Sequence, residues 1–158
     1  MPRVACEIVD VYVFRRIECG VEFLLLLRSA GAYLGGTWQS VHGRIEAGET
    51  AWQAALRELS EETSLKPKAF YQIDSVNTFY SAQEDTVHHC PCFAVEVSPQ
   101  DVVQLNAEHE AFEWLEAQEA LERYTWPGQR RAVREILEEI VAAGPAREHL
   151  KIEYDSNG

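Results

Sequence analysis

The amino-acid sequence predicts an α/β fold in which a mixed β-sheet carries helices on its faces. Three observations support this expectation. Two segments rich in Val, Ile, Leu, Tyr and Phe open the chain. A single amphipathic helical pattern follows them. More strand-like segments come next, and a second helical pattern closes the sequence.

Val4–Arg16 alternates imperfectly and is rich in β-branched and aromatic residues, so it reads as a strand. Val21–Arg28 is a near-continuous apolar run with the length of a buried strand. Arg16-Ile17-Glu18-Cys19-Gly20 between them fits a hairpin connection. Ser29–Gly36 contains Gly31, Gly35 and Gly36 and reads as a loop, and Thr37–Val41 as a short extended piece. In 51–63, Ala51, Ala54, Ala55, Leu56 and Leu59 form an apolar helical stripe with the charges mostly off it. Gly48 and Thr50 stand where that helix starts, and Pro67 lies beyond its end.

Residues 69–80 and 87–97 read as strands joined by a turn at Ser81–Asp85. Glu108–Leu115 returns to extended structure. Leu121–Ala143 is mainly helical, with Pro127 suited to a first helical position. Ala132, Val133, Ile136, Leu137, Ile140 and Val141 then recur at helical spacing. Ala146–Gly158 is polar and is expected to be loose. No repeat, low-complexity tract or linker is visible. One domain over 1–158 is expected, with a core of about 4–143 and a tail over 144–158.

Composition excludes several functions. The 158 residues carry 14 Lys+Arg against 26 Asp+Glu, a net charge of −12. Binding to a nucleic-acid backbone requires a basic face, so no nucleic-acid partner is expected. A nucleotide substrate is still allowed, because carboxylates meet phosphate through a divalent cation. The longest apolar run, Phe23–Leu27, is far below the ~20 residues of a membrane span, so no membrane partner is expected. No charged and then apolar leader opens the chain, so a cytoplasmic protein is expected. Cys6, Cys19, Cys90 and Cys92 then read as reduced thiols.

The chemistry concentrates in Gly43-Arg44-Ile45-Glu46-Ala47-Gly48-Glu49 and Arg57-Glu58-Leu59-Ser60-Glu61-Glu62. Glu58 lies three residues before Glu61 and four before Glu62, so all three share a helix face. Carboxylates this close repel and raise one another's pKa, and a hard divalent cation relieves the repulsion. Arg57 reaches Glu61 at i,i+4. Gly43 and Gly48 allow a tight turn and close backbone approach. The backbone carbonyl of His42 is a further candidate ligand for the same ion. A Glu-rich helix face is usually only solvated surface, and the glycine-rich lead-in argues against that here. The segment is not a P-loop, because Glu49-Thr50 follows Gly48 in place of Lys-Ser/Thr.

The stretch resembles the Nudix box, Gly-x5-Glu-x7-Arg-Glu-U-x-Glu-Glu-x-Gly-U with U bulky aliphatic. It runs from Gly43 through Glu49 and Arg57-Glu58-Leu59-Ser60-Glu61-Glu62 to Leu65. The one departure is Ser64, where the family usually has the glycine that ends the helix in a left-handed conformation. The resemblance implies an αβα sandwich around a mixed sheet. It also implies hydrolysis of a nucleoside diphosphate linked to another group, with Mg²⁺ or Mn²⁺ as cofactor. By position, Glu58, Glu61 and Glu62 would bind metal, and Glu58 or a neighbour would act as base. Arg57 would orient the carboxylates, and Glu49 would brace the loop. Family members are often dimers, which leaves a homodimer open.

Trp38-Gln39-Ser40-Val41 and Glu108-His109-Glu110-Ala111-Phe112-Glu113-Trp114-Leu115 resemble one subgroup, the dihydroneopterin triphosphate pyrophosphatases, which also act on dATP. This adds Glu108 as a metal ligand. Trp126, Gln129 and Arg130 also fit the subgroup. His42 departs from it, standing where a small or hydroxyl residue is usual. Trp38 and Trp126 are candidates to stack on a base or pterin ring, and Arg28 and Arg130 to meet phosphate.

The implied activity is cleavage of a nucleoside or dihydroneopterin triphosphate to monophosphate and pyrophosphate. The alternatives are a dinucleoside polyphosphate or nucleotide-sugar hydrolase, and a non-catalytic ligand-sensing domain. The intact Arg57, Glu58, Glu61 and Glu62 disfavour the sensor. His88-His89-Cys90-Pro91-Cys92 superficially resembles a zinc tract. Its Cys-x-Cys spacing and the lack of a second pair argue against one.

Overall fold

The computed structural model describes residues 1–156. Its first half contains β1 (Arg3–Ala5), β2 (Ile8–Ile17), β3 (Gly20–Arg28), β4 (Trp38–Gln39), β5 (Val41–Arg44) and α1 (Ala51–Thr63). Then come β6 (Ala69–Gln72), β7 (Asn77–Ser81), β8 (Thr86–Cys90), β9 (Cys92–Val97) and β10 (His109–Glu116). The helices α2 (Ala117–Arg123), α3 (Pro127–Glu135) and α4 (Arg147–Leu150) follow, with a π-helical turn over Ile136–Val141 continuing α3.

The larger sheet has the order β10-β3-β2-β9-β6, with β4 added to β3 and β5 to β2. The β2–β9 pair is parallel and its other pairs are antiparallel, so the sheet is mixed. A smaller sheet has the order β1-β8-β7. Side chains of β2 alternate between two cores. Val9, Val11 and Val13 pack with Ala54, Ala55 and Leu59 of α1. Tyr12 and Phe14 pack with Tyr124, Ala132, Val133, Ile136 and Ile140. Helices therefore cover both faces of the sheet, as the α/β expectation requires. Each fully buried side chain of this size contributes about 1.5–3 kcal/mol.

Several predicted segments are divided. Val4–Arg16 breaks at Cys6-Glu7, and 87–97 breaks at Pro91, so β1–β8 pair in one sheet and β2–β9 in the other. Proline has no N–H to continue a ladder, and the Pro91 carbonyl instead accepts from Asp10 N–H at 3.2 Å. The predicted strand 69–80 breaks after Gln72. Glu135 of α3 accepts there from the Asp74 N–H at 2.8 Å and the Ser75 hydroxyl at 2.6 Å. The predicted helix 121–143 begins earlier, at Ala117, and stops at Arg123. Tyr124 and Trp126 are extended, and the residue before a proline avoids helical geometry.

The tail is docked, which corrects the expectation of a loose end. Leu150 is buried, Ile152 N–H donates to Phe70 O at 2.8 Å, and Lys151 bridges to Tyr71. Tyr154 packs on Trp52 and Phe70, with ring centroids 6.1 and 5.9 Å away. The segment thus covers the edge of β6 that would otherwise be open. The final two positions of the predicted tail lie outside the described residues. Among the described residues, no helix is long and apolar enough to cross a membrane.

Candidate active site

The loop from β5 to α1 turns at Gly48, whose φ of 85° is left-handed. Thr50 then caps the helix. Its hydroxyl accepts from Gln53 N–H at 3.3 Å, and Gln53 Oε1 accepts from Thr50 N–H at 2.8 Å, a reciprocal capping box. At the other end Ser64 takes the left-handed conformation itself, with φ of 61°, and donates its N–H to Ser60 O at 2.9 Å. The helix exit therefore keeps the shape that the missing glycine would give.

Arg57 ties the loop to the helix. Its Nη2 donates to Glu49 Oε1 at 2.6 Å, and its Nε donates to Glu49 Oε2 at 3.2 Å, a bidentate pair. Nη2 also reaches Arg44 O at 2.8 Å, and Nη1 reaches Glu58 Oε1 at 2.9 Å and Glu61 Oε2 at 3.3 Å. Glu49 in turn accepts from Glu46 N–H at 2.7 Å. Hydrogen bonding from Arg57 holds Glu49 below the usual carboxylate range.

The carboxylates gather against this frame. Glu58 is buried and lies directly on Gly43, where any side chain would collide with it. Burial raises the Glu58 pKa, opposed by Arg57. Glu62 is 1% exposed, and its Oε2 has no hydrogen-bond partner. Glu62, Glu108 and His109 each bring one donor atom within 4.8 Å of the others. Burial, then Glu108, then Glu58 push Glu62 up to about 9. A buried carboxylate with a free oxygen, facing a second carboxylate, fits a hard divalent cation. Glu61 lies outside this group, exposed and bonded to Arg57.

His42 pairs with Asp10 across β5–β2, and its backbone N–H is directed to Glu62. In an antiparallel ladder the N–H and C=O of one residue lie on the same edge. The His42 carbonyl therefore also faces away from β2, on the Glu62 side. Its ring lies on the opposite face of the sheet, with Nδ1 2.6 Å from Asp10 Oδ1. Burial lowers the affinity of this imidazole for a proton. The Asp10 contact more than offsets that, so the pKa is raised.

Arg28, at the end of β3, stands opposite His109 in the ladder, and its Nε is buried without a partner. Its charge is felt by both His42 and His109. Trp38 is half-buried under the Arg123 guanidinium, 5.1 Å from its ring centroid, and packs in the core on the α3 side. Trp126 precedes α3 and is 51% exposed. Arg130 donates to the carbonyls of Tyr124 at 2.9 Å and Thr125 at 3.1 Å, so its guanidinium already holds the α2–α3 bend.

His109 and Asp10 escaped the sequence reading. His109 is 5% exposed, both ring nitrogens lack partners, and burial lowers its pKa. A β-bulge between His109 and Ala111 shifts the register and so turns His109 to the opposite face from the one the rest of β10 would give it, and Glu108 lies in the turn before the strand. The Glu108-His109 dipeptide was a visible signal, but its placement was not. Asp10 gave no signal, because it sits inside an apolar strand pattern.

The NUDIX domain model matches residues 7–136, most of the chain. The chain belongs to the NUDIX family. By sequence it is 41% identical over 117 residues to an octanoyltransferase of Myxococcus xanthus, covering 73% of this chain. The match spans only 32% of that longer relative. It is 29% identical over 110 residues to an asymmetrical bis(5'-nucleosyl)-tetraphosphatase of Caenorhabditis elegans, covering 69% of this chain and 78% of the relative. The C. elegans Ap4A hydrolase structure superposes with a TM-score of 0.72 at 24% identity, over 87% of this chain and 98% of that one. The E. coli dihydroneopterin triphosphate pyrophosphohydrolase does so with a TM-score of 0.69 at 24% identity, over 89% and 96%. At that identity the structural likenesses establish the fold. Family membership and hydrolase relatives make this Nudix chain a pyrophosphohydrolase.

Proposed function

We propose that the chain is a Mg²⁺-dependent hydrolase of nucleoside polyphosphates. The observation that carries this reading is the buried Glu62, with its unpaired oxygen, beside Glu58 and Glu108. Glu58, Glu62 and Glu108, with the His42 carbonyl, are the groups that would hold the ion. Bound there, Mg²⁺ neutralises phosphate charge and makes a water more acidic. Glu58, raised by burial, accepts the proton of the attacking water. Arg57 fixes Glu58 and keeps the loop closed on the helix, and Glu61 adds a contact to Arg57. Arg28, whose charge reaches His42 and His109 beside the carboxylates, is the cation that would meet the phosphates. Trp126, exposed just before α3, offers a ring face to the base, whereas the Trp38 ring already carries Arg123 and packs in the core.

Two substrates are in view. Relatives matched over 78% of their own length act on dinucleoside tetraphosphates, which favours that substrate. The triphosphate reading, with a nucleoside or dihydroneopterin as its ring, rests on the residues around Trp38 and Glu108. Each substrate has its own products under Mg²⁺. A dinucleoside tetraphosphate gives a nucleoside triphosphate and monophosphate, and a triphosphate gives monophosphate and pyrophosphate. A panel read by chromatography distinguishes them. Glu62→Gln should abolish turnover and weaken Mg²⁺ binding while the fold persists. Full activity in that variant would refute the metal assignment, and release of orthophosphate alone would refute both cleavage patterns.

A further inference from the structure

On the face of β2 opposite α1, the fold assembles donors that are far apart in sequence. Asp10 of β2 stands in parallel register with Cys92 of β9, and Cys90 ends β8 just across the Pro91 break. One donor atom from each lies within 4.8 Å of the others, and the three residues are 6%, 0% and 3% exposed for Asp10, Cys90 and Cys92. The thiols donate to backbone carbonyls, Cys90 Sγ to Pro91 O at 3.7 Å and Cys92 Sγ to Cys90 O at 3.3 Å, and Cys90 also interacts with Cys92 and Asp10. Two buried hydroxyls close by, those of Tyr12 and Tyr124, have no hydrogen-bond partner and are influenced by Asp10.

In sequence, both the short Cys-x-Cys spacing and the lack of a second donor pair count against zinc. The third donor instead comes through space, as Asp10, whose carboxylate is contacted by His42. The neighbouring histidines have other contacts, although His88 Nδ1 is buried without a partner. His88 binds Glu84 at 2.9 Å and stacks on Phe79, and His89 meets Thr78 at 2.9 Å.

We propose that Asp10, Cys90 and Cys92 form a Zn²⁺ site separate from the carboxylate cluster on α1, with His42 as the partner that orients Asp10. Thiolate sulfur selects Zn²⁺ over Mg²⁺, and three protein ligands leave a fourth position for water. Two thiolates and one carboxylate offset the charge of Zn²⁺, and His42 contacts the Asp10 carboxylate from outside the ligand set at 2.6 Å. Uptake of the ion releases one proton from each thiol. The site holds Asp10 against His42 and so braces β5, whose His42 backbone adjoins Glu62. This inference stands independently of the hydrolase reading.

Co²⁺ is the spectroscopic probe, added to the reduced, chelator-treated full chain, with Zn²⁺ competition to follow. The folded protein should bind Co²⁺ with a near-ultraviolet sulfur-to-cobalt charge-transfer band that survives millimolar Mg²⁺ and disappears when Zn²⁺ is added. Cys90→Ser and Cys92→Ser should each lose the band and weaken Zn²⁺ binding by at least about 100-fold. The paired Cys6→Ser, Cys19→Ser variant, which removes the exposed thiols, should keep it, as should Glu62→Gln. Absence of the band in the folded, reduced wild-type protein overturns the proposal without recourse to any variant. Retention of the band in both Cys90→Ser and Cys92→Ser, or its loss in Glu62→Gln or the exposed-thiol variant, also overturns it.

Discussion

Gly43→Ala tests the site without removing any functional group. The added Cβ would fall on Cγ, Cδ and Oε1 of Glu58 at roughly half of an ordinary carbon–carbon contact of about 3.5–4.0 Å. The backbone of β5 is fixed by its ladder to β2, so the flexible Glu58 side chain must retreat, by about 1.5 Å or more. The displaced carboxylate leaves its 2.9 Å contact with Arg57 and its place beside Glu62. A misplacement of about 1 Å in a positioned group is able to lower turnover about 10²-fold, or about 2.7 kcal/mol of barrier. Stability should barely change, because φ at Gly43 is ordinary and only a side-chain end moves. The assay is steady-state hydrolysis under saturating Mg²⁺, with thermal unfolding measured in parallel. Turnover equal to wild type would refute the reasoning, since Glu58 would then not need the position that the glycine leaves open. A large fall in melting temperature with proportionate loss of activity would show that the effect was on folding.

Three other outcomes are expected. Arg57→Lys keeps the charge but loses the two-pronged contact with Glu49 and the reach to Arg44 O, so turnover should fall about 10²-fold, read as kcat at saturating substrate. In metal-free protein, Glu62 has its pKa raised from 4.5 to about 9, so the folded state holds a proton that the unfolded state has released. Its contribution is complete below about pH 4.5 and is lost as the pH rises towards 9, so melting temperature should drop over that window. Added Mg²⁺ should reverse the drop, and Glu62→Gln should flatten it; a metal-free profile as steep in that variant as in wild type would contradict the assignment. Tyr154→Ala should destabilise by about 1–2 kcal/mol through lost contact with Trp52 and Phe70, seen as a melting temperature lower by several degrees.

Legibility varied along the chain. Helix α1 was read at its exact bounds, because its stripe, cap and following proline are local signals. Strand partners were not legible. The breaks at Cys6-Glu7 and Pro91 occur where neighbouring strands leave one sheet for the other together, an exchange of distant partners. The tail misled because Leu150, Ile152 and Tyr154 are too few to signal a core, yet they cover an edge strand built far upstream.

The sequence by itself determined the family box, the helix that bears it and the acidic character of the site, since each depends on residue type and spacing along one short stretch. Tertiary structure alone decided which carboxylates converge. It set Glu62 beside Glu108 and His109, left Glu61 exposed on Arg57, occupied Arg130 with carbonyls, and gathered Asp10 with Cys90 and Cys92. The convergences of Glu62 with Glu108 and His109, and of Asp10 with Cys90 and Cys92, join residues separated by long stretches of chain. They arise only once the strands have chosen register and a bulge has turned His109 inward, and no local pattern encodes that choice.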